Sequence, residues 1–238
     1  MSTPTGSRRR LAEALGRARE LARRGWYWGA DYRWVTRGMG RGLIERETPH
    51  HYTHGWADPV LLIPGVLEEW TLMRPLGDRL NREGHPVHVL PELRRNTITV
   101  DEAAVLAAAY LESRDLRDVV IVAHSKGGLI GKRMLLDDAG GRIRRLVAIA
   151  SPFQGSALAR LVPAEAVRAM SPDDATIVDL AARTEVNHRI TSICPTFDPH
   201  ILEGSHLDGA TNVPVDTIGH FRVMGDPEVL DAVAAAAR

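Results

Sequence analysis

Apolar and polar residues alternate in blocks along the chain from about residue 58 onward. Short apolar runs, typical of buried strands, are followed by longer stretches with apolar residues at helical spacing. The strand-like runs are PVLLIPG, PVHVLPEL, DVVIVAHS, RRLVAIAS, ITSICPTFD and NVPVDTIGH, and the helix-like stretches cover residues 69–83, 101–113, 126–137, 172–183 and 227–238. This alternation predicts an α/β fold with a mostly parallel sheet of about six strands and helices on both faces.

The first 57 residues differ in composition, because they are rich in arginine and hold four of the five tryptophans. Apolar residues at helical spacing predict a helix that runs to Arg24, and the segment GWYWGADYRWVTRGMGRGLIE predicts a second, shorter helix. We therefore expect an N-terminal helical extension over residues 1–57 and a separate domain over residues 58–238. Such an extension is typical of peripheral membrane contact or of packing on the main domain. The need to bury tryptophans favours packing.

Overall charge and cysteine content narrow the range of partners and compartments. Lys and Arg number 30 and Asp and Glu number 30, so no net field favours binding to nucleic acid. Cys194 is the one cysteine, so an internal disulfide is excluded. No apolar run reaches the roughly 18 residues of a membrane span, and the first 25 residues lack the apolar core of a signal peptide. We expect a cytoplasmic protein.

A polar cluster follows the third strand-like run, in the segment VVIVAHSKGGLIG at residues 119–131. Ligands of open parallel sheets bind at the carboxyl ends of the strands, which is where Ser125 is predicted to lie. The stretch Ala123-His124-Ser125-Lys126-Gly127 fits the G-x-S-x-G nucleophile elbow, with alanine in the place of the first glycine. The alternative is a serine that merely caps the following helix. Ser125 is therefore a candidate nucleophile.

From about residue 59 to the C-terminus, the sequence resembles the α/β-hydrolase family, in particular its bacterial lipase and esterase branch with the elbow A-H-S-x-G-G. The segments that carry the resemblance occur in the order of the family; they are LLIPGVLEEW, VVIVAHSKGG, VAIASPFQGS, FDPHI and GHFRVMGDPEV. The resemblance makes residues 58–238 the catalytic domain. It also implies a catalytic triad in the chain order serine, then aspartate or glutamate, then histidine.

His220 is the candidate general base. It follows the last strand-like run through Gly219, at a carboxyl strand end from which its ring can reach the serine hydroxyl. His124 is adjacent to Ser125 in an extended segment, so its side chain points to the other side and is expected to pack as a scaffold. His50, His51, His54, His85 and His88 precede the serine, at loop or strand positions with no elbow nearby.

Asp198 is the candidate acid, because it ends the fifth strand-like run and Pro199 stops the strand just after it. A carboxylate there would hold the imidazole in its reactive tautomer. Asp208 and Asp216 are rivals, but the first lies in a glycine-rich loop and the second within a strand. The alternative for Asp198 is a turn made with Pro199.

Acyl transfer also needs hydrogen-bond donors for the oxyanion. One is expected to be the backbone N–H of Lys126, directly after the nucleophile, and by analogy with the family the other is that of Val66. A lysine is unfavourable at the N-terminus of a helix. We therefore expect the Lys126 side chain to pair with Glu68 or Glu69 and to tie the two loops together. The alternative is a lysine that extends into solvent.

A short cap is expected over about residues 153–188, with Phe153, Leu158 and Met170 among the residues that line an acyl-binding groove; their alternative role is to pack a helix on the sheet. The leading expectation is a serine hydrolase that cleaves carboxylic esters of fatty acids or similar lipids. Acyl transfer to another alcohol, a thioester substrate, or a catalytically silent scaffold that binds a ligand or partner are the alternatives.

Other chemistries find little support in the sequence. Neither G-x-G-x-x-G nor G-x-x-x-x-G-K-[ST] occurs, so a nucleotide cofactor is not expected. Cys194 lies within a strand-like run and is expected in the core rather than as a nucleophile. His206 and Asp208 could bind a metal, but no cluster has the spacing of a zinc site, so we expect no metal and no cofactor.

Overall fold

The computed structural model describes residues 25, 28, 29, 31–36 and 48–238. The helix predicted to run to Arg24 therefore lies outside the described residues. Of the second predicted helix, residues 25, 28, 29 and 31–36 are described, and they are helical. None of the helices in the described part of the chain has the length and apolar character that a transmembrane span requires.

Among the described residues, six parallel strands form a single sheet, and each corresponds to one of the apolar runs of the sequence. They are β1 (Val60–Ile63), β2 (Val87–Val89), β3 (Val119–His124), β4 (Ile143–Ile149), β5 (Ile190–Phe197) and β6 (Thr211–Ile218). Their order across the sheet is β2-β1-β3-β4-β5-β6. The strands β1, β2 and β3 are buried along their whole length, because helices cover the sheet on both faces. The predicted α/β class and the number of strands are confirmed.

Within residues 48–238, six α-helices accompany the sheet. They are α1 (Arg74–Arg82), α2 (Val100–Ser113), α3 (Lys126–Leu136), α4 (Glu165–Arg168), α5 (Ala175–Ala182) and α6 (Pro227–Ala237). Local sequence sets several of their starts: Thr99 and Glu102 form a capping box for α2, and Asp226 caps α6 at its proline. The segment predicted to form a cap lies between β4 and β5 and contains a 3-10 turn at Ala157–Leu161 together with α4 and α5.

Two apolar cores lie on opposite faces of the sheet. Side chains alternate along each strand, so Ile121 faces a core shared with α2 and α3, whereas Val120 faces a core shared with α1 and α6. β2 pairs with one edge of β1, and β3, the next strand in the sequence, pairs with the opposite edge of β1. The carboxyl ends of β1 and β3 therefore meet at a switch point of the sheet, where open α/β folds bind ligands.

Candidate active site

Ser125 lies at the sharp turn between β3 and α3. Its φ of 51° is in the left-handed region, which is strained for a residue with a side chain. The turn brings backbone and side chains very close, since a Cβ at Gly127 would collide with the Ile63 carbonyl. The serine hydroxyl makes no capping hydrogen bond to the helix. The alternative of a simple helix cap is therefore excluded, and the hydroxyl is available to a partner across the site.

That partner is His220. The Ser125 hydroxyl lies 3.0 Å from His220 Nε2, and His220 Nδ1 lies 2.7 Å from Asp198 Oδ2. All three residues are buried, with exposed fractions of 3%, 5% and 5% for Ser125, His220 and Asp198. The three residues that the sequence singles out, from the ends of β3, β5 and β6, thus form one continuous chain of hydrogen bonds.

The environment of His220 adjusts both its orientation and its basicity. The second oxygen of Asp198, Oδ1, accepts the N–H groups of His200 at 2.8 Å and Ile201 at 3.1 Å, so the carboxylate is fixed in place. Burial alone lowers the pKa of His220, but the charges of Asp198, Glu68 and Asp31 together outweigh it and raise that pKa above the usual value. The imidazole therefore lies in a site that stabilises its protonated form.

A cavity of about 450 Å³ opens at Ser125 and His220 and has a mostly apolar lining. Leu158 and Met170 line it, as the sequence predicts. Phe153 does not line the cavity, because its side chain is buried in the core beneath the cap with 2% exposed. Residues from the N-terminal segment also line the cavity, which sequence patterns did not indicate; they are Trp28, Tyr32, Val35 and Thr36.

Comparisons with known proteins agree on the architecture. No family model matches the chain. The mature lipase BlEst2 of Bacillus licheniformis superposes with a TM-score of 0.60 over 77% of this chain and 92% of its own, at 14% sequence identity. The chain has the α/β-hydrolase fold. Aspergillus fumigatus lipase B matches at 16% identity over 77% of this chain and 53% of its own, with a TM-score of 0.61. A hydrolase from Oleispira antarctica matches at 16% identity over 78% and 92%, with a TM-score of 0.55.

Beneath the triad of this α/β-hydrolase fold lies a second buried pair, His124 and Glu68. His124 Nδ1 is 2.8 Å and 2.9 Å from the two Glu68 oxygens, and His124 Nε2 is 2.8 Å from the His220 carbonyl oxygen. The Gly65 N–H donates to Glu68 Oε2 at 2.8 Å. Both ring nitrogens of His124 thus face acceptors: Nδ1 faces the Glu68 carboxylate and Nε2 faces the His220 carbonyl oxygen. The pair joins the loop after β1 to the backbone of His220.

The predicted pairing of Lys126 with Glu68 or Glu69 is wrong. Glu68 is bound to His124, and the Lys126 ammonium instead donates to the carbonyl oxygens of Asn96, at 3.0 Å, and Ile98. The alternative of a solvent-exposed lysine is also wrong, since only 2% of Lys126 is exposed. These partners could not be predicted from the sequence, because a residue of any type can offer its backbone carbonyl oxygen as an acceptor.

Lys126 nevertheless connects the nucleophile turn to the loop after β1, through Asn96. The Asn96 side-chain amide donates to the Pro64 carbonyl oxygen at 2.7 Å, directly before Gly65 and Val66. Burial lowers the pKa of Lys126 to about 8, although the charge of Glu102 acts in the opposite direction. The ammonium thus stabilises the loop at Asn96, which in turn holds the loop after β1.

A group that could bind a metal occurs among the described residues at Glu68, His124 and His220, whose candidate ligand atoms lie within 4.8 Å of one another. Each of these side chains is already bound within the site: His220 to Ser125 and Asp198, and His124 to Glu68. The arrangement is fully accounted for as a hydrogen-bond network.

Proposed function

We propose that this chain is a serine hydrolase that cleaves carboxylic esters through an acyl-enzyme intermediate, with Ser125 as nucleophile, His220 as general base and Asp198 as the acid that orients it. The observation that carries the proposal is the continuous hydrogen-bond chain from the Ser125 hydroxyl through both ring nitrogens of His220 to Asp198. Such a chain activates a serine that is otherwise a weak nucleophile.

In the acylation step, Ser125 Oγ attacks the ester carbonyl carbon while His220 Nε2 takes the hydroxyl proton. The bond between the carbonyl carbon and the alkoxy oxygen then breaks, and the departing alcohol takes this proton from His220. Asp198 stabilises the imidazolium that exists between the two transfers. The acyl group remains bound to Ser125 as an ester.

In the deacylation step, water attacks the acyl carbon and gives a proton to His220. The bond to Ser125 Oγ breaks, the serine recovers its proton from His220, and the carboxylic acid leaves. Water and His220 thus restore the starting state without any further reactant.

Stabilisation of the oxyanion is assigned to the backbone N–H groups of Val66 and Lys126. Lys126 begins α3, and the first N–H groups of a helix have no partner within it. Val66 follows Gly65 and lines the cavity beside Ser125. Gly65 is essential to this approach, since a Cβ there would lie 3.0 Å from the Ser125 Cβ and would collide with the Glu68 carboxylate.

The lining of the cavity supports a proposal for the substrate class. Its volume and apolar character suit the burial of an apolar acyl or alcohol chain beside Ser125. The two lipases whose folds resemble this chain add support for an ester of a fatty acid or similar lipid. We therefore propose a small-molecule lipid or ester as the substrate.

The test is turnover of p-nitrophenyl esters from acetate to palmitate by wild type and Ser125→Ala, with and without an added primary alcohol. Wild type should release p-nitrophenol and the free acid, and Ser125→Ala should not. Formation of the alkyl ester in place of the acid would support acyl transfer on the same triad. Ser156→Ala is the matched control, because Ser156 also lines the cavity but its hydroxyl donates to the His200 carbonyl oxygen. Absence of turnover by wild type would contradict the proposal.

A further inference from the structure

Asp31, from the helical segment at residues 31–36, places a completely buried carboxylate against the turn that carries His220. Its Oδ2 accepts the N–H of His220 at 2.9 Å. Its Oδ1 accepts the N–H groups of Phe221 at 3.0 Å and Arg222 at 2.9 Å. Three consecutive backbone donors therefore converge on a single side chain from the opposite end of the sequence.

These donors explain how a carboxyl side chain is accommodated in a buried position. Burial of a carboxylate is costly unless hydrogen-bond donors replace the lost water, and hydrogen bonds to an ionised acceptor are the strong ones. An amide at this position would supply only one acceptor oxygen, and its NH₂ group would face a backbone N–H. The turn is therefore matched to Asp31 as a carboxylate and not simply as a polar side chain.

The backbone of His220 is held from both sides. Asp31 binds its N–H, and His124 Nε2 binds its carbonyl oxygen at 2.8 Å. The preceding residue, Gly219, has a φ of 124°, and a Cβ there would lie 2.9 Å from Asp31 Oδ1. Glycine is thus required both for the backbone conformation and for the close approach of Asp31.

We propose that Asp31 is a positioning residue for the general base: by binding the backbone of the 220–222 turn, it aims the His220 ring between Ser125 and Asp198. The inference rests on the proposed function. Asp31 does not line the cavity, so it acts through His220 and not through the substrate. The N-terminal segment that contains Asp31 thereby helps to set the geometry of the catalytic centre.

Charge at Asp31 also bears on the protonation of His220. The ionisable groups around His220 come from four parts of the chain: Asp198 and His200 from the loop after β5, Glu68, Asp31 and His124. Burial, followed by the neighbouring His220, lowers the pKa of His200 to about 4, so His200 is neutral near pH 7. The three carboxylates raise the pKa of His220. Removal of one negative charge should therefore lower it.

Two substitutions of Asp31 distinguish the effect of its charge on the pKa of His220 from the effect of its position on the orientation of the His220 ring. Asp31→Asn should lower kcat on p-nitrophenyl esters by on the order of 10- to 100-fold, because a misplaced base reacts poorly, and should leave KM nearly unchanged. Its acidic limb in kcat/KM should move to lower pH. Asp31→Glu keeps the charge but lengthens the side chain, so kcat should fall while the acidic limb stays close to that of wild type.

Asp174→Ala is the matched control, since Asp174 accepts the Thr176 N–H at 2.9 Å to cap α5, alanine removes this cap, and Asp174 does not line the cavity. It should lower the melting temperature without changing kcat or the pH profile. If Asp31 were merely structural, Asp31→Asn would behave in the same way.

Failure of the proposed function and failure of the role of Asp31 would give different results. Wild type that neither turns over esters nor reacts with a fluorophosphonate would overturn the proposed function, and the role of Asp31 with it. Active wild type together with an Asp31→Asn variant of unchanged kcat and pH profile would overturn the role of Asp31 alone. If Asp31→Asn does not fold, Asp31→Glu supplies the test, and unchanged kcat in that variant would contradict the inference.

Discussion

The Lys126 ammonium donates to the Asn96 carbonyl oxygen at 3.0 Å, and the Asn96 side chain continues the connection to the Pro64 carbonyl oxygen at 2.7 Å. Asn96 is fully buried and has a φ of 48° in the left-handed region, which asparagine tolerates better than most residues. The nucleophile turn and the loop after β1 are thus connected through the loop that contains Asn96.

This connection should be measurable as coupling between Lys126 and Asn96. Lys126→Met should lower kcat while Ser125 remains reactive to a fluorophosphonate, because the N–H groups of Val66 and Lys126 lose their alignment. Asn96→Gly keeps the backbone conformation and removes the amide, so it should cause a similar loss. The double variant should lose much less than the product of the two single effects. Arg94→Gly is the control, since Arg94 is exposed and has a similar φ of 46°. Independent, multiplicative losses would contradict the coupling.

Glu68 and Glu69 are neighbours that both line the cavity, but only Glu68 is buried and bound to His124. Glu68→Gln should lower kcat by on the order of 10- to 100-fold, because it removes the charge from a buried hydrogen-bonded pair. Glu69→Gln should leave kcat close to that of wild type. Steady-state kinetics of both variants at one pH checks this, and equal losses would count against a role of the His124 pair in holding His220.

Trp28 contacts His200, with ring centroids 4.4 Å apart, and lines the cavity. Trp28→Ala should raise KM for long-chain p-nitrophenyl esters by on the order of 5-fold, as expected from the loss of about 1 kcal/mol of apolar contact. KM for the acetate ester should change little. Trp56→Ala provides the control, since Trp56 is 86% exposed. An equal change in KM for short and long esters would show that Trp28 does not contact the acyl chain of the substrate.

The strands and the nucleophile turn could be predicted from the sequence because their causes are local. Buried parallel strands are continuous apolar runs, and a tight turn at Ser125 demands small residues such as Gly127 nearby. His220 and Asp198 could be singled out because the family resemblance implies an acid and then a histidine after the serine, and because both lie just beyond strands whose carboxyl ends share one edge of the sheet.

The contacts that connect distant parts of the chain could not be predicted in this way. The bonds of Asp31 to the 220–222 turn and of Glu68 to His124 depend on how separate segments pack, and hydrophobic periodicity carries no information about that. For the same reason the sequence predicts Glu68 or Glu69 as the partner of Lys126, whereas its ammonium donates to backbone carbonyl oxygens. Phe153 faces the core rather than the cavity, which its apolar character alone could not decide.

The pH dependence of the reaction should report on His220. The base must be neutral to accept the Ser125 proton, and its pKa is raised by Asp198 and the other nearby carboxylates. Activity in kcat/KM should therefore fall as pH falls through a value above the usual 6.5 of histidine. Asp198→Asn should shift this limb to lower pH and reduce kcat by about 10⁴-fold, and His220→Ala should reduce kcat by about 10⁶-fold. An acidic limb that does not move in Asp198→Asn would argue against the assignment of Asp198.

Mass-spectrometric mapping of a fluorophosphonate adduct on the full chain tests the central claim most directly, because the reagent reacts only with a serine activated by a nearby base. The adduct should map to Ser125, disappear in Ser125→Ala and form far more slowly in His220→Ala, while Ser156→Ala should label like wild type. An adduct on Ser151 or Ser156, or labelling that persists in Ser125→Ala, would contradict the account.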